Sequence, residues 1–167
     1  MKTIYLLRHA KSSWDNESLS DFERPLNERG MNTAPFMGEV ITGRGYVPSL
    51  IISSPAMRAK TTAELVIQSG DFGSQMTLDD RIYEASPNTL RQVASELGDD
   101  AESVMLVGHN PGMEGFIRYL TGLIEPMPTA ALAVISLAIA SWKDIDADSG
   151  TIVEIIRPKD EMRSRAA

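Results

Sequence analysis

The chain has 167 residues, 43% apolar and 23% charged, which is enough for one domain with a sizeable core and too short for two comfortable ones; a single domain over residues 1–167 is expected. Its 16 Lys+Arg against 23 Asp+Glu give a formal charge of −7, so nucleic acid and anionic membrane are poor partners, and a phosphate ligand would need a local cationic pocket. The chain has no cysteine and only two histidines, which removes disulfides, thiolate catalysis and Cys-based zinc sites; no motif supplies carboxylates for a metal centre, and neither metal nor cofactor is expected.

Lys2 to Leu7 is apolar on both faces, like a central strand covered by helices on both sides, and it runs into Arg8-His9. Lys11 to Arg24 is polar and without period, a loop directly after a strand, where site residues are often found. Asn27 caps a helix carrying Phe36, Met37, Val40 and Ile41 on one stripe; Pro35 should kink it or set its true start, and Gly43-Arg44-Gly45 ends it. Leu50 to Ser53 is a short strand. Ser54-Pro55 then marks a helix start with Pro at the first helical position, followed by Ala56, Ala59, Ala63, Val66 and Ile67, with Arg58 in the first turn. Gly70 to Asp80 reads as a polar connection, and Ile82-Tyr83 as a short strand or a tether.

Ser86-Pro87 repeats the cap-plus-Pro signal before Leu90, Val93, Ala94 and Leu97, with Gly98 as the closing residue. Ser103 to Val107 is another buried strand, and Met113, Phe116, Ile117 and Leu120 mark the helix after Gly108-His109-Asn110-Pro111. Ala131 to Ala140 and Thr151 to Arg157 are two further strands, joined through a polar stretch with Trp142 and the turn signal Asp148-Ser149-Gly150. The charged end, 158–167, is expected to fray, and Trp14 and Trp142 read as packing residues. Strands alternating with helices give an α/β protein, a three-layer α/β/α sandwich with a mostly parallel central sheet and an antiparallel pair at its C-terminal end. The short N-terminal apolar run falls below a signal-peptide core, and Ala130 to Ala140 is far short of a membrane span, so a cytoplasmic location is expected.

Three strand-to-helix junctions bring Arg8 and His9, Arg58, and His109 to one edge of this sheet, with Arg24 and Glu84 on adjoining segments. Open parallel sheets bind ligands at that edge. Guanidinium groups take phosphate oxygens bidentately and stabilise their spread charge, and a neutral imidazole beside them is able to attack phosphorus.

Four stretches stand in order along the chain: Leu7-Arg8-His9-Ala10, Arg24-Pro25-Leu26-Asn27-Glu28-Arg29-Gly30, Ser53-Ser54-Pro55-Ala56-Met57-Arg58-Ala59 with Thr61-Thr62-Ala63, and Val107-Gly108-His109-Asn110-Pro111. Together they resemble the histidine phosphatase superfamily, the phosphoglycerate mutase-like fold, and most closely its small SixA-type phosphohistidine phosphatases. The resemblance implies that His9 becomes phosphorylated, that Arg8, Arg58 and His109 hold the phosphoryl oxygens, and that Arg24 also reaches the phosphate. Ala10 replaces the signature glycine, which is acceptable if φ there is negative. Glu84 is the candidate general acid for the leaving group, a role that an imidazole leaving group makes less necessary. The implied activity is a metal-independent phosphatase working through phosphohistidine. Its substrate would be phosphohistidine on a partner protein, such as a histidine phosphotransfer domain, because little chain is available for a lid. The alternatives are a small-molecule phosphomonoesterase or mutase of the same superfamily and a non-catalytic phosphate-binding module, which would need the cations but not His9.

Overall fold

The computed structural model describes residues 1–166. Six strands form one sheet: β1 (Lys2–Arg8), β2 (Leu50–Ser53), β3 (Gln75–Leu78), β4 (Ser103–Gly108), β5 (Leu132–Leu137) and β6 (Gly150–Ile156), in the spatial order β3-β2-β4-β1-β5-β6. β1, β2, β3 and β4 pair in parallel, whereas β5 runs antiparallel to both β1 and β6. The expected antiparallel pair is therefore β5 and β6.

The described residues form five α-helices: α1 (Glu28–Gly43), α2 (Met57–Gly70), α3 (Pro87–Ser95), α4 (Gly112–Thr121) and α5 (Pro158–Ala166). Strand alternation divides the core between two faces. Ile4 and Leu6 of β1 point to the side of Leu90, Val93, Met113 and Phe116 from α3 and α4, while Tyr5 and Leu7 meet Met37, Ile41, Ala63 and Val66 from α1 and α2. This is the three-layer α/β/α sandwich that the strand and helix pattern implies. Trp142 is fully buried in the first layer, where its indole N–H donates to Ala101 O at 2.8 Å.

Several local expectations are corrected. Gly70 to Asp80 contains the edge strand β3, in which three of four residues are exposed, so no apolar alternation announced it. Ile82 belongs to a 3-10 turn, Asp80–Ile82, rather than to a strand. Helix α1 runs through Pro35, whose missing N–H frees the carbonyl of exposed Met31, a group that water can satisfy. Helix α2 begins at Met57, two residues beyond Pro55, because Ser54 turns into the site instead of capping the helix. Helix α3 ends at Ser95 with Glu96 as its cap, before Gly98. The charged end is helical through Ala166: Asp160 and Glu161 in its first turn and Arg163 and Arg165 in its last complement the helix dipole, and Glu161 bridges to Arg44.

Candidate active site

The carboxyl ends of β1, β2 and β4 finish level with one another, since Arg8 lies opposite Gly108 and Ser53 opposite Val107. That register delivers Arg8-His9, Ser54 and His109 to a single point. The rings of His9 and His109 are 5.2 Å apart, and Tyr83 meets His109 edge-on at 5.6 Å. A cavity of about 380 Å3 opens there, lined by Asp21, Arg58, Tyr83, Glu84 and His109 together with the segment from Asn110 to Gly112.

His9 is buried, with its backbone N–H on Gly108 O at 3.0 Å. Its Nδ1 lies 2.7 Å from Ala10 O; a carbonyl only accepts, so Nδ1 carries the proton and Nε2 keeps its lone pair, with no hydrogen bond among the described residues. Burial is the main reason that the ring's pKa falls to about 3, with His109, Arg58 and Arg8 adding to the effect and the Ala10 bond opposing it. At neutral pH the ring is therefore an uncharged imidazole with an available Nε2.

His109 is also depressed, to about 4, by burial first and then by Arg58. Its Nε2 is 2.8 Å from Ser54 Oγ, and that oxygen already accepts from Ala56 N at 3.2 Å. Ser54 is fully buried, so its hydroxyl proton finds an acceptor only if it donates to Nε2. The proton of His109 then sits on Nδ1, which is buried and unpartnered among the described residues.

Arg58, 6% exposed at the start of α2, donates from NH1 to Asp21 O at 2.6 Å and from NH2 to Asp21 Oδ2 at 3.0 Å. Arg8 donates to Met127 O at 3.0 Å. Burial lowers the pKa of Arg8, which nearby Glu114 partly opposes. The Nε groups of both arginines are buried without partners among the described residues. Arg24 is held by Ser12 Oγ, Ser13 O and Asp21 Oδ1, and lies 3.5 Å over the ring of Trp14. Trp14 is 70% exposed, so it is not the packing residue expected; it stacks on the cation instead.

Asp21, on the 3-10 turn Asp21–Glu23, joins Arg24, Arg58 and the Tyr83 hydroxyl (2.6 Å). Tyr83 first, then Arg58, hold its carboxyl down at about 2. Glu84 reaches the rim of the cavity with an exposed side chain and a left-handed backbone at φ 57°. All six residues singled out in the sequence thus lie in or around one pocket. Sequence reading missed Ser54, Asp21 and Tyr83, and the only available signals were Ser54 beside a strand end and Asp21 three residues before Arg24.

The supporting scaffold explains the four stretches. Ala10 does not have a positive φ, and its N–H donates to Thr62 Oγ1 at 2.9 Å, while that hydroxyl donates to Arg58 O at 2.7 Å. The His9 loop is thereby fastened to the Arg58 helix. At Gly30 a Cβ would stand 2.2 Å from Lys11 O, so only glycine lets α1 approach this loop so closely.

A model of the histidine phosphatase superfamily (branch 1) matches residues 4–96. An uncharacterised chloroplast protein of Arabidopsis thaliana is 30% identical over 161 residues, 89% of this chain and 72% of that protein. A candidate phosphohistidine phosphatase SixA from Agrobacterium tumefaciens superposes with a TM-score of 0.80 at 32% identity, over 94% of this chain and 98% of the other. The protein histidine phosphatase SixA in complex with tungstate shares the fold, with a TM-score of 0.82 over 95% of this chain and 99% of the other, at 21% identity. The chain belongs to the histidine phosphatase superfamily.

Proposed function

We propose that the protein is a metal-independent phosphohistidine phosphatase acting on a phosphorylated protein. His9 Nε2 attacks phosphorus in line, the phosphorus bond to the leaving nitrogen breaks, and the leaving imidazole takes a proton from solvent. Water then attacks the phosphorus of phosphohistidine-9, releasing inorganic phosphate and restoring the neutral ring. Arg8, Arg58 and His109 donate to the three equatorial oxygens in both steps, and Arg24 adds charge at the mouth.

One observation carries this reading: of the four buried side-chain polar atoms without a partner among the described residues, three are Arg8 Nε, Arg58 Nε and His109 Nδ1. Each unsatisfied buried donor costs about 1–3 kcal/mol, and a phosphoryl group supplies the acceptors they lack. The name of the SixA-type structural neighbour at 32% identity favours phosphohistidine on a protein. Glu84 at the rim favours a second reading, a small-molecule phosphomonoesterase that needs an acid for its leaving group.

The test is trapping. Wild type, His9→Ala and His109→Ala are mixed with a labelled phosphodonor and quenched in base. Acid-labile, base-stable label on wild type and none on His9→Ala is the expected result; full turnover by His9→Ala would refute the mechanism.

A further inference from the structure

A second cavity, of about 230 Å3, opens where the β1 exit, the start of α1 and the start of α5 converge. Lys11, Arg29, Arg157, Lys159 and Arg163 line it, against the single acid Asp160. This is the reverse of a chain whose formal charge is −7. Elsewhere on the surface, Arg81 bridges Asp79 and Glu96, and Arg44 bridges Glu154 and Glu161. In the cavity only Arg157 is paired, with Glu125 at 2.8 Å; Lys11, Arg29, Lys159 and Arg163 form no ion pair among the described residues. Like charges gathered in a concave surface raise the local potential and favour an anion there.

The cavity shares no lining residue with the candidate catalytic pocket. Lys11 follows His9 by two residues, and its carbonyl accepts from Asn27 N at 3.0 Å. Thr129, also in the lining, precedes Ala130, whose N–H reaches the carbonyls of Arg8 at 3.1 Å and His9 at 3.0 Å. The segment from His9 to Lys11 thus leads from the candidate nucleophile to the lining of the second cavity.

We propose that this cavity is a docking subsite for carboxylate side chains on the protein that presents the phosphoryl group, a proposal that rests on the phosphohistidine phosphatase reading. Charge complementarity selects the occupant. A nucleic acid would carry its phosphates past the rest of an acidic surface, whereas a carboxylate on a folded partner or peptide brings charge only where the cations are. Pro128, Pro158 and Met162 in the same lining provide apolar contact for the methylene groups of a glutamate.

The experiment uses three substrates: free phosphohistidine, a phosphohistidyl peptide flanked by glutamates, and the same peptide with glutamines. Wild type should turn over the glutamate peptide about tenfold better in kcat/KM than the glutamine peptide in low salt, with the preference shrinking at high salt. Lys159→Glu/Arg163→Glu should abolish the preference while leaving free phosphohistidine unchanged. Equal use of both peptides by wild type, or a preference that survives in the double variant, overturns the proposal. If no phosphohistidine substrate is turned over, the functional reading fails, and fluorescence titration with the unphosphorylated glutamate peptide decides the docking: weaker binding by the double variant supports it, equal binding overturns it. A double variant altered only in its inhibition by citrate would mark a small-anion site and also overturn it.

Discussion

Ser54→Ala removes one hydroxyl from a fully buried position and tests the tautomer on which the site depends. In the native arrangement the Ser54 hydroxyl donates to His109 Nε2 at 2.8 Å and fixes the ring proton on Nδ1, which has no partner among the described residues. Without it the two neutral tautomers lie close in energy, and one of them turns a lone pair toward an anionic phosphoryl oxygen. A hydrogen bond to a charged group contributes about 1.5–3 kcal/mol. At about 1.4 kcal/mol per decade, kcat/KM should fall roughly 10- to 150-fold, and by no more than in His109→Ala. Because Ser54 acts through His109, Ser54→Ala/His109→Ala should lose no more than His109→Ala alone, within about twofold. Ring-nitrogen NMR of His109 should show Nδ1–H in wild type and a tautomer mixture in Ser54→Ala, with urea unfolding run alongside to separate stability from chemistry. Wild-type activity in Ser54→Ala, or losses that multiply in the double variant, would sink the reasoning.

Glu84→Gln should leave turnover of phosphohistidine within about threefold of wild type but slow an alkyl phosphate at least tenfold, because only the alkoxide needs a proton donor; equal losses on both would remove the acid role. Asp21→Asn should tighten inhibition by inorganic phosphate several-fold, since the carboxylate now competes for Arg24 and Arg58, and weaker inhibition would contradict that. His9 and His109 have native pKa values depressed to about 3 and about 4, below the unfolded value of about 6.5, so the unfolded chain binds more protons as acid is added. Their neutral-state stability is whole above about pH 6.5 and is lost as pH falls toward 4 and 3; between pH 7 and 5 the loss is about 2 kcal/mol per histidine, read from urea midpoints, and His109→Asn should halve it. The same shifts keep kcat/KM flat from about pH 5.5 to 8 on a substrate that does not itself titrate. Gly30→Ala should cost about 1–3 kcal/mol of stability and lower kcat, as its Cβ drives against Lys11 O and displaces the His9 loop; an unchanged unfolding midpoint would count against that account.

The parts of the fold that were readable in the sequence are those where burial forces a pattern. β1 and β4 are buried along nearly all of their length and appear as continuous apolar runs, and α3 and α4 show one apolar stripe each. β3 left no such trace because an edge strand with exposed side chains is free to be polar. Site residues that project from the end of a buried strand, such as Arg8, His9 and His109, were findable for the same reason. Asp21 and Tyr83 were not, because they come from separate loops and acquire meaning only when Arg58 brings them together. Ser54 looked like a helix cap, and only the position of His109 diverts its hydroxyl.

The acidic surface and the cationic pocket fit together through Asp21. Three arginines around one point would repel one another in an empty site, and burial already lowers the pKa of Arg8. The Asp21 carboxylate neutralises the outer faces of Arg24 and Arg58 but leaves the Arg58 Nε, the Arg8 Nε and the His109 Nδ1 untouched. The inner donors therefore have no protein partner among the described residues and are held in place by the rest of their side chains' contacts. On the proposed function, a phosphoryl oxygen entering this pocket would meet groups that need no rearrangement, so the electrostatic work would be done during folding instead of at the moment of transfer. Burial is the first cause of His9's neutrality, and the same cations add to it, so the charges that would attract a phosphoryl group also help to keep a proton off the proposed nucleophile.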